Sequence, residues 1–185
     1  MSRAELDAFR DGTVPDLVGT EIKLVFVGIN PGLWTVKTQT HFAHPSNRFY
    51  PALYEAGLTA ALFDRVNGLT DPDRKALTDS GIAITNLVPR ATVKASELAA
   101  DELRRGGAAL TKKLELWGWP HVAVAGVSAY RVAFDTPKAA FGRQTSGVGE
   151  SVTWVLPNPS GLNAHTSQRD LAAWFRRVAV DAGVV

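Results

Sequence analysis

The chain has 185 residues, 45% hydrophobic and 21% charged, with a formal charge of +2 and a sequence pI of about 9.0. This balance fits a single globular domain over 1–185 and permits a polyanionic partner without requiring one. The sequence contains no cysteine, which excludes disulfides, thiolate metal sites, iron–sulfur clusters and a cysteine nucleophile.

The opening segment "MSRAELDAFRDG" carries charges but no apolar core, so it does not read as a secretory signal. No uninterrupted apolar run is long enough to span a bilayer. The chain is therefore expected to be cytoplasmic, with no membrane partner.

Four short, β-branched, nearly continuous apolar runs punctuate the sequence. The first is "IKLVFVGI" from Ile22. "NRFYPALYEAGL" follows with a helical pattern, and Pro51 argues against a start much before Arg48. The second run is "IAITNLV" from Ile82. "SELAADELRRGGAALTKKLELW" then predicts a helix capped by Ser96, with Leu103, Leu110, Leu114 and Trp117 at helical spacing. Gly106 and Gly107 weaken its middle by about 1 kcal/mol each relative to alanine. The last two runs are "HVAVAGV" from His121 and "TWVLP" from Thr153. A final helix starts at Ser167, with Asp170 in a capping-box position. Its apolar face is Leu171, Trp174, Phe175 and Val178, and Trp117 and Trp174 are expected in the core.

Strands that read as buried on both faces, alternating with helices, predict a three-layer α/β/α sandwich with a mostly parallel central sheet of about four strands. Ligands in such folds bind beyond the carboxyl ends of the strands, near a topological switch point. "GINPG" ends the first strand and "NPSG" the last, so both should face one crevice. The first is not a known nucleotide motif. No Gly-Lys-Ser/Thr follows "GINPG", and Gly28 and Gly32 lack dinucleotide-binding spacing. His44 invites a catalytic reading because imidazole as a side-chain type is suited to proton transfer, but beside Pro45 it reads as a structural histidine bonded to backbone.

Taken together, "GINPG", "FAHPSNRFY", "GIAITNLVPRATVKASEL" and "LPNPSGLN" resemble the mismatch-specific uracil DNA glycosylases, the group that includes thymine DNA glycosylase. The resemblance runs from about Ile22 to Phe175 in matching order and spacing. It implies a monofunctional enzyme that flips a mismatched or damaged pyrimidine out of double-stranded DNA and hydrolyses its N-glycosidic bond. Asn30 would be the catalytic residue, holding a water by its carboxamide. Ile29, Thr35, Phe42, Asn86 and Asn158 would form the base-binding pocket, with the Phe42 ring stacked on the base. Ser160, Gly161, Leu162 and Asn163 would meet the DNA, with Leu162 as the wedge. No metal or other cofactor is implied, and the expected state is a monomer associated with the nucleoid.

Two positions depart from some relatives. Asn86 stands where some carry a basic residue, and Ala164 stands where some carry an arginine two places after the wedge. Arg90, Lys94 and Arg143 are candidate phosphate contacts, while Arg104, Arg105, Lys112 and Lys113 read as a solvated helix face. The rival readings are a non-catalytic sensor of abasic or mismatched DNA and a hydrolase of free nucleosides. The wedge-like "SGLN" argues against the second.

Overall fold

The computed structural model describes residues 3–185, so Met1 and Ser2 of the opening segment lie outside the described residues. The four expected runs form strands β1 (Leu24–Gly28), β2 (Ile82–Asn86), β3 (His121–Ala125) and β5 (Thr153–Leu156). A short strand that the sequence does not announce, β4 (Gly142–Arg143), pairs antiparallel with β5. The sheet order is β2-β1-β3-β5-β4, and the first four strands are parallel.

Alternation along the strands builds the three layers. Leu24 and Phe26 of β1 point to one face, where they meet α3 (Phe49–Glu55), α4 (Asp71–Asp79) and α7 (Gln168–Asp181) through Phe49, Leu77 and Phe175. Val25 and Val27 point to the other, against α5 (Ala100–Leu116) and α6 (Val127–Ala133) through Leu110, Leu114 and Tyr130. Both faces are covered, which is why these strands are apolar almost throughout. Two short helices, α1 (Arg3–Asp7) and α2 (Leu33–Thr38), complete the described fold.

Several local expectations shift. Ser96 does not cap α5. Residues Ala95–Glu97 form a single 3-10 turn, and α5 begins at Ala100. The cap is the Glu102 carboxylate, which accepts the Ala99 N–H at 2.9 Å. Gly106 and Gly107 stay in the helix because a Cβ there would lie 2.3 Å from the Leu87 carbonyl and 2.5 Å from the Ala133 carbonyl. Their missing side chains let α5 approach the β2 exit and α6. Trp117 and Trp174 are half-buried rather than core, with Lys113 and Arg177 over their rings. Ser167 does cap α7, accepting the Asp170 N–H at 3.1 Å. Helix α4 has its own signal in Thr70, Pro72 and Asp73, whose side chains and backbone form a reciprocal capping box. Among the described residues, no helix is long and apolar enough to cross a membrane.

The topology places the site. From β1 the chain moves to β2 on one side, then crosses to β3 on the other. The switch point therefore lies outside the carboxyl ends of β1 and β3, where such sheets open a crevice.

Candidate active site

A cavity of about 260 Å³ occupies that crevice. From the β1 side and its neighbours it is lined by Ile29, Asn30, Thr35, Phe42 and Asn86. From the β5 exit it is lined by Asn158, Ser160 and Leu162. The two Asn-Pro bends, more than a hundred residues apart in sequence, thus open into one space. Gly161 and Asn163 belong to the second bend but do not line the cavity. Among the described residues, no Asp, Glu, Lys or Arg lines it.

The Asn30 carboxamide is fixed by its nitrogen. Nδ2 donates to the carbonyls of Pro31 at 3.1 Å and Arg90 at 3.0 Å, and to the Thr92 hydroxyl at 2.8 Å. Carbonyls only accept, so the amide cannot be turned round. Thr92 spends its own proton on the Lys94 carbonyl at 2.9 Å, which leaves its oxygen to accept from Asn30. No donor among the described residues reaches Asn30 Oδ1. The site therefore offers an acceptor of settled orientation at the cavity wall. The bend itself is strapped to the segment after β2: Val88 N–H donates to the Ile29 carbonyl at 2.9 Å, and Thr92 N–H to the Pro31 carbonyl at 3.2 Å.

Asn86 is held by a residue that carries no site signal in the sequence. His41 is buried, with Nε2 3.0 Å from the Pro15 carbonyl and Nδ1 3.1 Å from Asn86 Nδ2. Pro15 can only accept, so Nε2 carries the proton and Nδ1 accepts from Asn86. Burial pushes the His41 pKa down to about 4, which keeps the ring neutral. Asn86 Oδ1 is thereby turned to the side of Gly28 and Phe42. A Cβ on Gly28 would lie 2.4 Å from that oxygen and 3.2 Å from Phe42 Cζ, so only glycine fits there.

Phe42 stacks on Phe49, with ring centroids 4.1 Å apart and planes at 19°. Its backbone sits in the left-handed region at φ 54°, a conformation that costs a non-glycine residue about 1–3 kcal/mol. His44 is exposed and lines the cavity. Its Nδ1 accepts the Ser46 N–H at 3.2 Å, which puts the ring proton on Nε2. It is therefore a locally braced histidine, as its setting beside Pro45 suggests, at the edge of the cavity. Thr35 is buried in α2 and lines the cavity.

In the second bend, Asn158 Oδ1 accepts the Ser160 N–H at 3.0 Å, and the Asn158 carbonyl accepts from the Asn163 amide at 3.0 Å. Gly161 lies against Ser46, where a Cβ would come within 2.4 Å of its hydroxyl. Leu162 is 85% exposed at the rim.

Of the basic side chains, Arg90 is engaged by carboxylates of the protein itself. It binds Glu102 at 2.5 and 3.1 Å and Asp11 at 3.1 Å. Its contribution to the site is its backbone carbonyl, which holds Asn30. Arg143 lies 3.6 Å from the Asp181 carboxylate. Lys113, expected on a solvated face, pairs with Asp16 at 2.7 Å, and Arg104 pairs with Asp101 at 2.7 Å.

A solution NMR structure of a candidate uracil DNA glycosylase from Methanosarcina acetivorans superposes with a TM-score of 0.58 at 16% identity, over 91% of this chain and 98% of that one. At that identity the likeness is one of fold. Residues 15–182 match the uracil DNA glycosylase superfamily, nearly the whole length. The chain belongs to the uracil DNA glycosylase superfamily, whose members are glycosylases acting on DNA.

Proposed function

We propose that this protein is a monofunctional, mismatch-specific uracil DNA glycosylase that hydrolyses the bond between an everted base and deoxyribose. The observation that carries this reading is the Asn30 carboxamide, anchored through three acceptors with Oδ1 left open at the cavity wall. A carboxamide is too weak a base to deprotonate water at neutral pH. Oδ1 instead accepts a hydrogen bond from a water and aims its oxygen at the sugar carbon. The C–N bond breaks with its electron pair leaving on the base, the water oxygen bonds to the sugar carbon, and the surplus proton passes to the departing base or to solvent. Catalysis rests on positioning rather than proton abstraction, so good leaving bases are favoured.

Recognition of uracil follows from the fixed Asn86. With one Nδ2 hydrogen committed to His41, the amide retains one acceptor and one N–H. That pair complements the N3–H and O4 edge of uracil or thymine and opposes the N3 and amino edge of cytosine. Phe42 supplies a stacking surface worth about 1–3 kcal/mol. Leu162, held out at the rim, is suited to fill the gap left in the duplex. The preference for a mismatched partner rests on the resemblance of "GINPG" and "LPNPSGLN" to the mismatch-specific group.

The test is a panel of duplexes, each with one lesion, scored for alkali-sensitive breaks. Uracil opposite guanine is expected to react first, followed by thymine and etheno-cytosine opposite guanine. Asn30→Ala should lower single-turnover release by about 100-fold or more, with duplex affinity retained. Lesion binding without breaks on any duplex would show a sensor instead.

A further inference from the structure

The bend that carries Leu162 belongs to an eleven-position connection with no helix or strand, between β5 and α7. One side chain from another part of the chain gathers it. Arg48 stands at the start of α3, and its backbone N–H donates to the Pro159 carbonyl at 2.9 Å. Its guanidinium then reaches three more carbonyls of the same loop: Thr166 through Nη1 at 2.5 Å, and Asn163 at 2.8 Å and Ser160 at 3.4 Å through Nη2. Four carbonyls of one loop converge on one residue. Charge-assisted bonds of this kind are stronger than neutral ones, and the planar fork fixes their directions together. With these carbonyls turned to Arg48, the loop presents Leu162 to solvent, 85% exposed.

We propose that Arg48 is a positioning residue that holds the 158–166 loop in its inserting shape before DNA arrives. The inference rests on the wedge reading of Leu162. A loop ordered in advance does not lose conformational freedom at the moment of insertion, so the clamp favours the everted state of the base. Arg48 touches neither the base nor the water in this scheme. It acts through Leu162, and its effect should be confined to substrates that need a base pushed out of the stack.

Two substrates separate this role from general damage to the fold. One carries uracil paired within the duplex. The other carries it in a single-nucleotide bulge, already outside the stack. Single-turnover release at saturating enzyme should fall about tenfold or more for Arg48→Met on the paired uracil, and only about twofold on the bulge. Arg48→Lys, which keeps the charge but not the fork, should lie between. Combining Arg48→Met with Leu162→Ala should cost little more than either change alone, since both remove one device. Equal slowing on both substrates would make Arg48 a residue of the fold alone and overturn the proposal, as would no slowing on either.

Hydrogen exchange on the free protein reads the clamp without DNA. Arg48→Met should speed exchange across residues 158–166 and leave the strand amides protected. Unchanged exchange there overturns the clamp, whatever the activity. Wild-type protein that releases no base from either substrate would instead overturn the glycosylase reading, and with it the inserting role given to the loop.

Discussion

Two of the side-chain amides that line the cavity have their orientation imposed by neighbours that accept from Nδ2. For Asn30 the neighbours are carbonyls. For Asn86 the neighbour is a histidine whose tautomer is itself set by Pro15. The second arrangement makes a pH prediction. Burial is the main cause of the His41 shift to about 4. The Pro15 carbonyl and Asp16 oppose it, while Arg74 and Lys113 reinforce it. In the unfolded chain the same ring titrates near 6.5. Between those values the unfolded chain binds a proton that the fold refuses. The stability linked to this group is complete above pH 6.5 and declines by roughly 1.4 kcal/mol per pH unit as the pH falls toward 4. Urea midpoints at pH 7 and pH 5 should therefore differ in the wild type, and His41→Gln should narrow that difference. An identical pH difference in wild type and His41→Gln would show that the ring is not the titrating group.

At the scale of elements, the Asn30 bend is strapped to the segment after β2 through Val88 and Thr92. Arg90 is central to that strap. The Glu102 carboxyl is held down to about 2, first by its hydrogen bonds from Arg90 and then by the Ala99 N–H, so the pair stays ionised at any working pH. Glu102 is thus both the cap of α5 and the anchor of the residue whose carbonyl fixes Asn30. Arg90→Met should slow base release by letting that carbonyl move, yet it should leave the salt dependence of duplex binding unchanged. A phosphate contact behaves in the opposite way, and its loss lowers the log–log salt slope by about 0.9. Exposed Lys94, one residue beyond the cavity-lining Val93, is the natural comparison. If Arg90→Met flattened the salt slope and left release untouched, Arg90 would be a DNA contact after all. The sequence shows the arginine but not its partners. Glu102 lies on a helix twelve residues on, and Asp11 lies near the other end of the chain.

The layers, the four longer strands and the shared crevice were legible in the sequence for one physical reason. Strands buried on both faces must be apolar throughout, so β1, β2, β3 and β5 stand out as runs. The two-residue edge strand β4 has no such constraint, and its pairing comes from tertiary contact alone. The start of α5 was misplaced because Ser96 looks like a cap, while the working cap is a carboxylate three residues inside the helix. Asn30, Phe42, Asn86, Asn158 and Leu162 could be named from their motifs. His41 and Arg48 could not be given their parts, because their partners are backbone carbonyls of Pro15, Ser160, Asn163 and Thr166, and any residue type supplies a carbonyl.

The molecule as a whole separates attraction from reaction. Its net charge is small, at +2, and the cavity lining carries no charged side chain among the described residues. Phosphate contacts must therefore lie outside the pocket, and screening should act on encounter and grip rather than on the bond-breaking step. Raising salt from about 50 to about 200 mM should weaken duplex binding in proportion to the phosphates neutralised. Over the same range, single-turnover release with enzyme in saturating excess should change by less than about twofold, since the reacting atoms see fixed amides and carbonyls that salt does not reach. A release rate at saturation that falls in step with affinity would mean that a mobile surface charge enters the transition state. That result would move the source of catalysis away from the anchored Asn30 amide and toward an arginine or lysine delivered from the rim.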